Sequence, residues 1–154
     1  MNIRPRLLTF RVEAFNSENR SQGRTGVPWT LEIQQDIQVG LGVPAAAGGA
    51  LQALVSVTLT AKARATATDV SDDAAGTPLE ALFKGEYAGQ FQYPPDAQLA
   101  DVESLLGEEE HQYLLVAQVF PLAMMHFKRE VMATGFDSRE LPIGFATVQV
   151  DAKS

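Results

Sequence analysis

"HQYLLVAQVFPLAMMHF", residues 111–127, decides how the rest of the chain must be arranged. Its apolar side chains recur at steps of three and four, the spacing that lines them along one side of an α-helix. Tyr113, Ala117, Phe120, Met124, Phe127 and Val131 make one such stripe. Leu115, Val119 and Leu122 make a second, and Leu114 and Met125 widen the coverage. Polar residues gather only at the ends, with Glu108, Glu109 and Glu110 before the stretch and Lys128, Arg129 and Glu130 after it. That order of charge suits the helix dipole. Pro121 has no N–H to give the carbonyl of Ala117, so a bend is expected there. A helix with two apolar stripes has to be packed on two sides. We expect the first stripe to lie on the chain's own sheet. The second, Leu115, Val119 and Leu122 with His126, is expected to meet a second copy of itself across a two-fold axis. Burial under the chain's own tail is the alternative.

The sheet is legible upstream, where three segments alternate with period two. From Trp29 to Val39 the odd positions are Trp29, Leu31, Ile33, Gln35, Ile37 and Val39, against polar residues at the even ones. From Leu51 to Ala65 every odd position is Leu, Ala or Val. From Leu79 to Tyr93 the odd positions run through Phe83, Gly85, Tyr87, Gly89 and Phe91. A shorter strand is expected around residues 7–15, with Leu8, Phe10, Val12 and Ala14 on one side. Four strands joined by turn-rich loops, with no helical crossover among the last three, predict an antiparallel sheet. Its dry face needs a cover, and only residues 96–134 can supply one. "PPDAQLADVESLL" (94–106) reads as a short lead-in helix, and Gly135 as the cap that ends the long one. The predicted fold is therefore α+β, a four-stranded antiparallel sheet covered by a long C-terminal helix, in one domain spanning 1–154. Beyond Gly135, Leu141, Pro142, Ile143 and Phe145 read as an extended apolar segment, and Thr147 to Val150 as a short strand.

Composition removes several classes of function. A chain of 154 residues, 45% hydrophobic, has enough apolar side chain for a real core. Its net charge of −7, with Lys and Arg scattered, argues against a nucleic-acid partner. The absence of cysteine excludes disulfides, thiolate metal sites and cysteine nucleophiles, and it fits a reducing cytoplasm. No apolar run approaches the ~20 residues needed to span a bilayer, so membrane insertion is not expected. Catalytic candidates are few. His111 follows three glutamates and reads as a solvated helix end, while His126, beside Met125 and Phe127, reads as packed. Asp72 and Asp73 are adjacent loop carboxylates, a poor dyad. "GLGVPAAAGG" (40–49) lacks the lysine of a phosphate loop. We therefore expect no enzyme, no metal and no cofactor.

With the elements in order, the chain resembles the SecB and SecB-like family of chaperones over nearly its whole length. "PWTLEIQQDIQV" (28–39) resembles the family's loop tryptophan and alternating second strand, and "GEYAGQFQY" (85–93) its fourth strand. "VFPLAMM" (119–125) resembles the Phe-Pro step in the main helix. "GFDSRELPIGF" (135–145) resembles the Gly-Phe turn and the Leu-Pro segment beyond it. The resemblance implies an ATP-independent holdase, a homotetramer built as a dimer of dimers through the long helices, holding unfolded polypeptide in apolar grooves. By matching motif, the groove would include Val27 and Trp29 in the loop, and Phe136, Leu141, Ile143 and Phe145 in the tail. Tyr87, Phe91 and Tyr93 are added as client-binding candidates. Export members continue into a last helix and an acidic tail that helps dock the translocase motor. Here the chain stops at "VQVDAKS" (148–154), and "FRVEAFNSENR" (10–20) does not match the acidic strand those members show the motor. Export clients and motor docking thus stand beside a second implication, a SecB-like chaperone of a toxin–antitoxin pair that protects its antitoxin.

Chemistry supports a holding role at these positions. Holding unfolded chains calls for exposed apolar surface and for backbone contacts that do not read sequence. Trp29, after Pro28 and the glycine-bearing "SQGRTG" (21–26), suits a groove rim, or else it is the first inward residue of its strand. Leu141, Ile143 and Phe145 either line the groove or cap the chain's own sheet. A small β-rich ligand-binding module, using the cleft between sheet and helix, is the remaining reading.

Overall fold

The computed structural model describes residues 3–19, 29–42, 48–65, 79–135 and 150–151. Four strands of equal length, β1 (Arg6–Asn19), β2 (Trp29–Gly42), β3 (Gln52–Ala65) and β4 (Leu79–Gln92), precede a short helix α1 (Leu99–Leu106) and a long one, α2 (Glu109–Ala133). A two-residue strand, β5 (Val150–Asp151), follows. The sheet order is β1-β4-β3-β2-β5. All neighbours are antiparallel except β2 and β5, which run parallel, with Ile37 opposite Val150.

Alternation set the pairing. In β3, Ala53, Val55, Val57, Leu59, Ala61 and Ala63 are buried, and in β4 so are Ala81, Phe83, Tyr87 and Phe91. A one-residue slip would turn each of these rows to water, so the register is strongly specified. Several of the inward residues are small, which lets α2 come close. The limit is Gly89: a Cβ built there would collide with Cγ2 of Val119 on α2. Gly85 has another neighbour, since a Cβ there would meet the Tyr87 ring, which folds back over it along the strand. Opposite these two glycines on β1 stand Phe10 and Phe15, both partly buried against the core. Aromatic rings leaning across from the neighbouring strand cover backbone that glycine would leave bare.

The first strand corrects one expectation. Leu8, Phe10, Val12 and Ala14 do not share a covered face, because the register shifts between Leu7 and Thr9 and again between Val12 and Ala14. Each bulge changes which parity faces inward. Leu7, Phe10 and Phe15 pack on the core, and Leu8 and Val12 remain exposed on the rim.

Helix α2 is continuous through Pro121. Pro121 and Ala117 are both half-buried on the side turned from the sheet, where water can take up the carbonyl that Pro121 leaves without a donor. The acidic first turn, Glu109 and Glu110, complements the dipole, but Lys128 and Arg129 stop short of the last turn, which holds no basic residue. Gly135, at φ +99°, follows the end of the helix, and its N–H donates to the carbonyl of Met132.

Candidate functional site

Which side of α2 stays open is the first functional question. The buried residues fall into two neighbouring rows, each stepping by four. One is His111, Leu115, Val119, Ala123, Phe127 and Val131; the other is Gln112, Val116, Phe120 and Met124. A step of four gains about 40° per repeat on a helix of 3.6 residues per turn, so the buried face winds around α2 as it crosses the twisted sheet. This overturns part of the sequence reading. Leu115 and Val119, expected at an oligomer interface, are each 0% exposed against the chain's own sheet. Tyr113, expected inward, is exposed, and Ala117 is half-buried. Leu122 is exposed, and His126 is half-buried toward β1 and β4.

The outward face is a different stripe. Leu114, Gln118, Pro121, Met125, Lys128 and Met132 follow one another by steps of four and three, and Leu122 and Arg129 lie along their flank. Leu114, Leu122, Met125 and Met132 are all exposed, the two methionines by 52% and 51%. A shallow hollow of about 310 Å³ is lined by Met125, Lys128, Arg129 and Met132.

The client-binding candidates separate into two groups. Tyr87, Phe91 and Tyr93 are 1%, 0% and 1% exposed beneath α2, so they cannot line an accessible groove in this fold. Packing between sheet and helix, which the alternation alone does not reveal, put them inside. Val27, Phe136, Leu141, Ile143 and Phe145 lie outside the described residues, as does the Trp29 side chain; its backbone opens β2 opposite Ala65.

The two buried tyrosines have another task, which sequence reading missed. The chain's two histidines both lie on α2, and each bonds a tyrosine hydroxyl of the sheet. Tyr93 and His111 Nε2 are 2.8 Å apart, with their rings stacked. Tyr87 and His126 Nδ1 are 3.0 Å apart, and His126 Nε2 lies 3.7 Å from Glu130 Oε1. From His111 to His126 the helix rises about 22 Å. From Tyr87 to Tyr93 the strand covers about 20 Å. The two lengths match, so α2 is pinned antiparallel to β4 near both its ends. Phe10 stacks on Tyr87, and Phe15 meets the edges of His126 and Phe127. The sequence signal was only the pairing of two Tyr with two His at matching reach.

His111 is thus no solvated helix end; it is 8% exposed. Burial holds its pKa below the ordinary 6.5, partly offset by Glu108. Burial also pushes the Tyr93 hydroxyl up to about 12 and raises Tyr87, where Glu130 adds to the effect. These hydroxyls therefore stay protonated and are no nucleophiles near neutral pH. The histidine carries a pH consequence. The unfolded chain binds a proton at His111 more readily than the folded one, so stability is complete above pH 6.5 and falls as pH drops below it. In thermal unfolding between pH 7.5 and 5.5, His111→Gln is expected to flatten this acid-side slope relative to the wild type.

Among the described residues, no three His, Cys, Asp or Glu side chains group to hold a metal ion. Among them too, no helix is long and apolar enough to cross a membrane.

A long four-stranded antiparallel sheet covered by one C-terminal helix defines a SecB-like fold, and comparison with solved structures places the chain there. It is similar to the SecB-like chaperone of Mycobacterium tuberculosis, solved in complex with a ChAD peptide from the HigA1 antitoxin, at TM-score 0.61 and 12% identity over 94% of each chain. A protein of unknown function from Streptococcus agalactiae is more distant, at TM-score 0.45 and 10% identity, covering 92% of this chain and 99% of that one. No protein-family profile and no curated protein sequence matches the chain.

Proposed function

We propose that the protein is an ATP-independent chaperone that holds unfolded or aggregation-prone polypeptide on apolar surface. The observation that carries this reading is the likeness of fold, over 94% of each chain, to a chaperone solved with a bound peptide, together with apolar side chain left open on the ordered frame. Leu114, Leu122, Met125 and Met132 lie along α2, and Leu8 and Val12 on the β1 rim. Fold alone does not fix function. Exposed apolar patches rimmed by charge, however, are the chemistry of polypeptide contact rather than of catalysis. A second open hollow, of about 220 Å³, is bounded by Ile3, Asp101, Ser104 and Leu105.

In this reading the chain is a single domain of 154 residues, works in the cytoplasm, and pairs through α2, two pairs making a tetramer. The open face of α2 is used for assembly, and the groove is formed by Val27, Trp29, Phe136, Leu141, Ile143 and Phe145. An antitoxin is the favoured client, since the similar Mycobacterium tuberculosis chaperone was solved with an antitoxin peptide. Preproteins handed to a translocase motor are the second reading.

The test is suppression of aggregation of an unfolded test protein. The wild type is expected to suppress it without ATP, and Trp29→Ala with Phe145→Ala to lose most of that effect while keeping its far-UV spectrum. Unchanged aggregation in the presence of the wild type would refute the proposal. An antitoxin co-purifying from the native host favours the first client class, and a spread of immature secreted proteins the second.

A further inference from the structure

The two tyrosine–histidine bonds are alike in chemistry but not in surroundings. His111 is the third residue of α2 (Glu109–Ala133), at the end where the helix dipole is positive and opposes a cation. It is 8% exposed, and Tyr93, stacked on it, is 1% exposed. The His126 side chain, in the second half of α2, is 28% exposed, and its Nε2 faces the Glu130 carboxylate. A proton added at His126 therefore meets a carboxylate and some water. A proton added at His111 meets little of either. Glu108 acts on that ring from the N-cap, but it is exposed and offsets the burial only in part. From β4 the ring meets the neutral Tyr93, and the acids of α1, Asp101 and Glu103, are exposed to solvent. With the ring neutral, Nε2 can accept the Tyr93 O–H. With the ring charged, both nitrogens are donors, and the hydroxyl must turn its hydrogen away.

What rests on this bond is a unit of two elements. Gln112, buried, donates from Nε2 to the carbonyl of Leu106, the last residue of α1, and so ties α1 to the start of α2. The surfaces that this unit and β4 bury include Val102, Leu115, Val116 and Phe91, all fully covered.

We infer that the His111–Tyr93 bond is an acid-released clasp: protons free α1 and the start of α2 from the end of β4, while Tyr87, His126 and Glu130 hold the far half of the helix in place. The linkage is directional. An opening that brings His111 into water lets the ring take up a proton, and it is favoured as pH falls through the ordinary 6.5. An opening confined to the far half of α2 leaves His111 buried and gains nothing from that proton. Acid therefore selects one end. The surface it uncovers is apolar. This device belongs to the chain's own opening and does not depend on what the protein holds.

Native-state hydrogen exchange of the whole chain, resolved by peptide and measured in low urea at pH 7.5 and 5.5, tests the clasp. The window stops above the ordinary carboxylate range of about 4, so that histidine is the group it titrates. Residues 99–116 are expected to exchange through a partial opening, less protected than residues 123–131 and less sensitive to urea because less surface is exposed. Their protection factors are expected to fall severalfold from pH 7.5 to 5.5, with about tenfold as the ceiling for one proton. His111→Gln, neutral at both values and able to bond the Tyr93 hydroxyl, is expected to keep the partial opening and lose its response to acid. His126→Gln is expected to keep that response. Exchange of residues 99–116 in step with 123–131, at equal protection and equal urea dependence, would overturn the clasp. So would a partial opening indifferent to pH, an acid response that survives His111→Gln, or one that vanishes with His126→Gln. The first two of these outcomes are read on the wild type, so they decide the matter even where a variant does not fold.

Discussion

Phe127→Ala is expected to lower the free energy of unfolding by roughly 3–5 kcal/mol, the usual cost of emptying a large aromatic site in a packed interior. Phe127 is fully buried on α2, and the edge of its ring meets Phe15 of β1 with centroids 6.0 Å apart. The cost should be high because the site has little freedom to collapse. Phe15 also meets His126, and His126 is tied to Tyr87 and Glu130. Moving inward to fill the space would disturb that chain of contacts. The loss is comparable to much of a domain's net stability, about 5–15 kcal/mol. It should also act unevenly. In this sheet β1 pairs with β4 on one side and gains its hold on α2 through Phe10 and Phe15, so its amides are expected to lose exchange protection before those of β3. Urea unfolding and hydrogen exchange read the two effects. Leu122→Ala is the control, since Leu122 is exposed on α2 and its loss should cost about 0.5 kcal/mol. Equal costs for the two would show that the inward and outward sides of α2 are wrongly assigned.

The contrast between those two residues also explains what the sequence could say. Inward and outward are not in doubt along β3, whose odd positions from Ala53 to Ala63 are all buried, and β4 keeps the same alternation except at Ala88, buried between Tyr87 and Gly89. The lengths of β3 and β4, the antiparallel direction and the cover were legible from it; the place of β1 beside β4, and its full extent over Arg6–Asn19, were not. The helix was harder. A repeat of three and four does run along α2, but it lies on the outside, through Leu114, Pro121, Met125 and Met132. The inside follows steps of four, because the helix crosses a twisted sheet and its covered face rotates with it. Reading one fixed stripe therefore sent Tyr113 inward, and Leu115 and Val119 outward. On β1, two bulges moved Leu8 and Val12 to the rim, and single-residue insertions of that sort leave no mark on a hydropathy pattern. His111 illustrates a third limit. Three glutamates before it suggested solvent, yet its burial depends on Tyr93, eighteen residues earlier, being brought alongside by the tertiary packing. For the candidate site, the open apolar surface was legible as an excess of apolar residues on α2, but which residues supplied it was not.

Leu114→Glu with Met125→Glu is expected to weaken the proposed self-association by a factor of about a hundred, because each subunit exchanges two apolar side chains of the contact for carboxylates that must shed water to enter it. The two-fold doubles the penalty. Both residues are exposed in the single chain, so the folded subunit should tolerate the change and show an unchanged thermal midpoint when diluted. That makes the variant a clean source of monomer, measured by sedimentation or light scattering. It also divides the remaining possibilities for the client site. If the monomer still slows aggregation of an unfolded protein, the groove lies within one subunit, and the outward face of α2 serves assembly alone. If that activity disappears with the oligomer, the groove needs surfaces from more than one chain, or α2 itself is the surface clients occupy. Refolded wild-type oligomer challenged with a competing apolar peptide separates these last two: displacement of subunits by the peptide assigns α2 to clients, whereas peptide bound to an intact oligomer assigns the groove to the junction between chains. An oligomer that survives both glutamates would place the assembly contact elsewhere on the fold.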